Sequence, residues 1–154
     1  MANVNDILFL PVKPKWAGVI MSGDKTLELR KRLPLKGYGK RCIIYASSPR
    51  CEVIGACTAV AGKRFRNDVT IGNLAQACVT VREFDAYFDD DFWNRFEDPD
   101  DKRWYGIELA DPTQFHRAIP LESLRNVWGI EPPQQWRYIS GQTFDELVNA
   151  GRRQ

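Results

Sequence analysis

The sequence predicts an α+β fold in which about six strands, with short helices between them, form a small, partly closed barrel. Three observations lead there. Apolar or alternating runs of strand length recur along the chain, separated by Pro, Gly and Ser. Helical spacing of apolar residues occurs only in short stretches. The chain has 154 residues, 44% of them hydrophobic, and no internal repeat, which suits a single domain over 1–154 with a core of its own.

The elements follow in order. Ile7-Leu8-Phe9-Leu10-Pro11-Val12 reads as a buried strand, and Pro14 opens a helix carrying Trp16, Val19 and Ile20 at i, i+3 and i+4. Ser22-Gly23 stops it. From Lys25 to Arg32, Leu27 and Leu29 alternate with Thr26, Glu28, Arg30 and Arg32, predicting a strand with leucines inward and a charged row on the other face. A Pro/Gly loop leads to a strand over Cys42–Ser47, Ser48-Pro49-Arg50 turns the chain, and Val53–Val60 is another strand. Thr80-Val81-Arg82-Glu83 has capping-box form and predicts a helical, acidic middle segment. Trp104–Leu109 and Gln114–Ile119 read as two further strands. Pro120 starts a short helix through Leu124 and Val127, and Pro132-Pro133 breaks the chain. Thr143-Phe144-Asp145-Glu146, a second capping-box match, opens a terminal helix that Gly151 ends.

The net charge of +2 is a sum of unlike parts. Residues 1–66 carry net +9, residues 67–122 net −8 and residues 123–154 net +1, so a polyanionic partner is expected for the first part. No apolar stretch approaches the roughly 18–20 residues that span a bilayer, and no membrane partner is expected. Met1-Ala2-Asn3-Val4-Asn5-Asp6 lacks a basic stretch, so a cytoplasmic rather than secreted protein is expected. Cys42, Cys51, Cys57 and Cys78 form no Cys-x-x-Cys pair, which excludes zinc knuckles and thioredoxin-like centres; reduced, buried thiols are expected. His116 is the one histidine, so no multi-histidine metal site exists. The cofactor stays unassigned. No metal site is evident, a divalent ion held by carboxylates is left open, and the runs Asp89-Asp90-Asp91 and Asp98 to Asp101 fit no EF-hand spacing.

The stretch that carries chemistry is Gly23-Asp24-Lys25-Thr26-Leu27-Glu28-Leu29-Arg30. It sets a lysine, a hydroxyl, a carboxylate and a guanidinium in a row. Such a row suits a phosphodiester and a base edge, with Arg for bidentate contacts and Glu accepting from an exocyclic amine. The bland alternative is the solvated outer face of an edge strand.

Gly-x-Lys-x-x-Glu-x-Arg resembles the signature of the ASCH domain, a branch of the PUA-like superfamily. The resemblance extends to Pro11–Ala17 ahead of the signature, Tyr45–Pro49 and Ile54-Gly55 after it, then Tyr105–Leu109 and Pro132–Tyr138. It implies a PUA-like barrel with flanking helices and a cleft that takes RNA or a nucleotide. ASCH-like proteins include amidohydrolases acting on acetylcytidine, proteins with ribonuclease activity, and coactivator-linked nucleic-acid binders. The amidohydrolases use a lysine, a threonine three residues on and a distant glutamate. Lys25 matches the lysine, but Glu28 occupies the threonine position and Thr26 is displaced from it. The catalytic reading is therefore Lys25 with Glu28 and a nearby hydroxyl, Tyr45 first, with Ser47 and Ser48 adjacent. A lysine base needs its pKa lowered by burial or neighbouring cations.

The predicted nucleic-acid-binding set is Lys13, Lys15, Thr26, Arg30, Arg32, Ser47, Ser48, Arg137 and Tyr138. Trp136-Arg137-Tyr138 alternates aromatic, cation and aromatic, which suits stacking of single-stranded rather than duplex nucleic acid, or else barrel packing. Lys63-Arg64-Phe65-Arg66 reads as a basic loop tip, and Gly37-Tyr38-Gly39 as a turn. The expectation is an RNA- or nucleotide-binding protein with hydrolytic activity on RNA or a modified nucleoside. Its rivals are a non-catalytic nucleic-acid reader or regulator, and a protein-interaction module acting through the acidic middle. No oligomeric state follows from the sequence.

Overall fold

A computed structural model describes residues 5–30, 32–66 and 103–153. Its elements run β1 (Ile7–Val12), α1 (Pro14–Met21), β2 (Leu27–Arg30), β3 (Lys40–Ala46), β4 (Glu52–Arg66), β5 (Arg103–Pro120), α2 (Leu121–Ser123) passing into a π-helical turn (Leu124–Trp128), β6 (Arg137–Ile139) and α3 (Gly141–Arg152). The strands form one mixed sheet in the order β2-β5-β4-β3-β1-β6. Among the described residues only β1 and β3 pair in parallel. Backbone pairing leaves β2 and β6 at the two ends, and among the described residues no ladder joins them, so a barrel closed by hydrogen bonds is not what the pairing describes.

Period-two alternation divides the core between the two faces. Leu8, Leu10 and Val12 of β1 join Cys42, Ile44 and Ala46 of β3, with Ala17 and Ile20 of α1, in one cluster. Ile7 and Phe9, with Ile43 and Tyr45, turn to the other cluster, where Phe115 and Leu147 of α3 lie. Thus α1 covers one face and α3 the other.

Several expectations change. The two strands read over 104–109 and 114–119 are one long strand, β5, which bends at Asp111, a non-glycine residue with φ of 50°. The basic tip from Lys63 to Arg66 is instead the end of β4, paired with β5. Strand β6, three residues long, follows the Pro-Pro break unannounced by any apolar run. The terminal helix is capped by Ser140, whose hydroxyl accepts from the Thr143 N–H at 3.0 Å, and not by Thr143. That helix continues through Gly151 to Arg152. Gly151 permits close packing, since a Cβ there would run into the Phe115 ring. The capping box at Thr80–Glu83, the acidic helical middle, Asp89-Asp90-Asp91 and Asp98 to Asp101 lie outside the described residues.

Candidate functional site

The largest correction concerns β2. Glu28 stands in register with Ile107 of β5, a member of the first core cluster, and directly opposed residues share a face. The Glu28 carboxylate therefore faces inward, where it is 8% exposed, and Lys25 is 2% exposed. The charged row is not a solvated outer face. Leu27 is buried as well, folded over Gly106. Both faces of this short strand are covered, so polar–apolar alternation could not identify the inner one.

Three ionic groups converge. The Lys25 ammonium lies 4.0 Å from the Glu28 carboxylate and donates to the Leu27 carbonyl at 2.5 Å. Arg30 Nε lies 3.6 Å from the other Glu28 oxygen, outside hydrogen-bond distance, and is a buried donor with no hydrogen-bond partner. Each terminal nitrogen also holds backbone: Nη1 donates to the Gln135 carbonyl at 2.8 Å and Nη2 to that of Pro11 at 2.5 Å. The half-buried Trp16 ring completes the site. Lys25 Nζ stands 5.3 Å from its centroid, and the exposed Lys15 ammonium 4.9 Å from it.

Two unit charges about 4 Å apart attract by about 4 kcal/mol at an effective dielectric near 20. Removing each ion from water costs several kcal/mol. The pair at 4.0 Å does not act alone: the Leu27 carbonyl accepts from Lys25 and the Arg30 guanidinium stands beside Glu28.

The other predicted residues divide. Lys15 joins the cluster through Trp16. Lys13 is exposed at the start of α1, where its carbonyl accepts from the N–H groups of Trp16 and Ala17. Thr26 and Arg32 are exposed. Tyr45 is not brought to Lys25 and Glu28: it is buried against Phe9, ring centroids 5.6 Å apart, in the cluster on the opposite face. Burial first, then a hydrogen bond with Cys51, pushes its phenol up to about 12. Ser47 and Ser48 occupy the turn after β3, half-buried and exposed respectively. Arg137 donates to the Glu131 carbonyl at 3.3 Å. Tyr138 packs against the first cluster, exchanges hydrogen bonds of 3.2 and 3.3 Å with the backbone of Lys36, and lies 4.9 Å from the Lys36 ammonium. Trp136 packs there too.

Sequence reasoning placed Trp16 on the core face of its helix, with a cleft-edge position open, and gave Arg30 to the ligand and to the cations around Lys25. In the structure Trp16 borders the ionic cluster, and most of Arg30 holds backbone. Among the described residues no group of three or more His, Cys, Asp or Glu side chains is placed to hold a metal ion. None of their helices is long and apolar enough to cross a membrane.

No protein-family model matches the sequence. Over 42 residues, 27% of this chain, it is 48% identical to an ASCH domain-containing ribonuclease of Zymomonas mobilis, and the match spans 28% of that protein's length. The fold matches the crystal structure of the ASCH protein from Zymomonas mobilis with a TM-score of 0.71, covering 94% of each chain at 23% identity. The chain folds as an ASCH domain. A serine-to-alanine variant of the Zymomonas protein gives a TM-score of 0.73 over 96% of this chain and 98% of that one, again at 23% identity. The chain is also similar in fold to the N-terminal domain of McrB from Staphylothermus marinus, with a TM-score of 0.62 at 14% identity over 97% and 96% of the two chains.

Proposed function

We propose that this ASCH domain binds single-stranded RNA over the Trp16 edge of the sheet and hydrolyses it at the Lys25–Glu28–Arg30 cluster. The observation that carries the reading is that cluster itself: three desolvated ionic side chains beside an indole, with Arg30 Nε lacking a hydrogen-bond partner. Such a donor suits a phosphate or base oxygen. The partial match to an ASCH domain-containing ribonuclease supports RNA as substrate.

In this reading Lys15 yields its place over Trp16 to a base, since an exposed ammonium gives little up on leaving a ring that a nucleobase then stacks on. Lys25 and Arg30 stabilise charge on the phosphate. Glu28 takes the proton of the attacking 2′-hydroxyl as its oxygen bonds to phosphorus. The P–O5′ bond breaks with the leaving oxygen taking a proton from the Lys25 ammonium, and water then opens the resulting 2′,3′-cyclic phosphate. Arg30 also draws the two ends of the sheet together, so the sheet is read as a PUA-like barrel closed there by a side chain instead of a ladder.

The test is incubation of the purified protein with end-labelled single-stranded RNA, matched duplex RNA and acylated nucleosides. Cleavage of the single strand alone supports the reading. Salt-sensitive binding without turnover on any of them makes the domain a reader, and no binding even at low salt removes RNA from the account.

A further inference from the structure

On the face of the sheet opposite Lys25 lies a cleft of about 430 Å³ between β3, β4 and β5 on one side and α3 on the other. That volume falls in the usual range of small-molecule sites, roughly 300–1,000 Å³. Arg41 stands at one wall. Its Nη1 donates to the Asp111 carbonyl at 2.6 Å and to the Thr58 hydroxyl at 3.1 Å, and its Nη2 donates to the Thr113 hydroxyl at 3.1 Å. All three acceptors are neutral. Among the described residues no carboxylate pairs with Arg41, so the guanidinium is rigidly held while its charge is uncompensated. Of its five N–H groups, the Nε–H and one on Nη2 remain for another acceptor.

The cleft's other walls complement that charge. Phe115 and Phe144 supply aromatic surface, and Asn149 and Arg152 line the side formed by α3. Among the described lining residues Asp145 is the one carboxylate, against the two arginines Arg41 and Arg152. Each arginine also has a structural use. Arg41 steadies the bend of β5 at Asp111, and Arg152 offsets the negative end of α3. Neither use explains why both cations line one cleft with aromatic walls.

We infer that this cleft is a second site, separate from the Lys25 cluster, that binds a nucleoside monophosphate. Its phosphate lies on the free donors of Arg41 with Arg152 at the rim, and its base lies against Phe115 and Phe144. Asn149 offers both a donor and an acceptor to the base or ribose.

An NMR titration of the ¹⁵N-labelled full chain tests this with cytidine monophosphate, cytidine and inorganic phosphate. The expected result is saturable shifts of the Thr113, Phe115 and Asn149 amides, tightest with the monophosphate, weaker with phosphate and absent with cytidine. Arg152→Ala, on an exposed residue whose loss leaves the fold intact, weakens the monophosphate about fivefold to tenfold at those amides. Lys25→Met leaves these shifts as they are. Unmoved amides would overturn the assignment, as would cytidine or phosphate binding as tightly as the monophosphate, or Arg152→Ala binding within twofold of the native chain.

Discussion

Arg30 of β2, at one end of the sheet, donates to the carbonyl of Pro11 on β1, the strand next to the other end, 2.5 Å away, and among the described residues no backbone ladder joins β2 to β1 or β6. A second bond, to Gln135 ahead of β6, ties the same guanidinium to the chain's last strand. A residue that the sequence offers for ligand contact and as a cation near Lys25 is therefore also a fastener. Arg30→Ala is expected to destabilise the fold by about 2–4 kcal/mol, since two charge-assisted bonds are lost and Glu28 loses a neighbour. Urea unfolding at neutral pH measures this, and Arg30→Lys, which keeps the charge but not the fork, should fall between the two.

Lys25→Met separates function from stability. Methionine keeps an unbranched stem against Trp16, relieves the burial of an ammonium, and leaves Glu28 its neighbour Arg30 at 3.6 Å. The melting temperature is expected to move by no more than a few degrees while activity on RNA is lost. Calorimetry and a cleavage assay on the same preparation give both readouts.

Tyr45 gives a pH dependence with a definite sign. Its phenol titrates near 10 when unfolded and about 12 when folded. Below pH 10 both states hold the proton and stability is unaffected. Between 10 and 12 the unfolded chain releases it first, so stability falls by roughly 2–3 kcal/mol across that window. Unfolding free energies measured from pH 9 to 12 should show this decline in the native chain, and Tyr45→Phe should remove that part of it.

The cysteines should separate by reactivity. Cys42 and Cys57 are cross-strand partners with sulfurs 3.3 Å apart, and both are buried. Their mutual hydrogen bond, then burial, pushes the Cys57 thiol well up, which starves it of reactive thiolate. Cys51 is half-buried. Iodoacetamide on the folded protein should modify Cys51 at least tenfold faster than Cys42 or Cys57, as read by peptide mass spectrometry.

Strands β1 and β3 and helix α1 were legible because their signals are local: apolar runs of strand length, and Pro14 ahead of helical spacing. The signature segment was legible as chemistry, and Lys25, Glu28 and Arg30 do converge. Its facing was not. Charged residues on an alternating strand are usually outside, and only the register with Ile107 puts Glu28 inside. Tyr45 and Lys25 were joined by nearness to shared motifs, yet strand alternation sends Tyr45 to the other face. The reading of two strands over 104–109 and 114–119 left a gap between them, where β5 runs on through Asp111 with a positive φ. The Cys42–Cys57 contact and the cleft at Arg41 depend on β3–β4 register and on where α3 docks, neither of which a single sequence states.

The measurement that bears most directly on the central claim is cleavage of end-labelled single-stranded RNA by the native chain and by Lys25→Met and Glu28→Gln, each shown to be folded. The account predicts cleavage by the native chain and a fall of at least a hundredfold in both variants, with RNA binding reduced far less. Equal cleavage by all three would contradict it, because the reaction would then lie outside the Lys25–Glu28–Arg30 cluster.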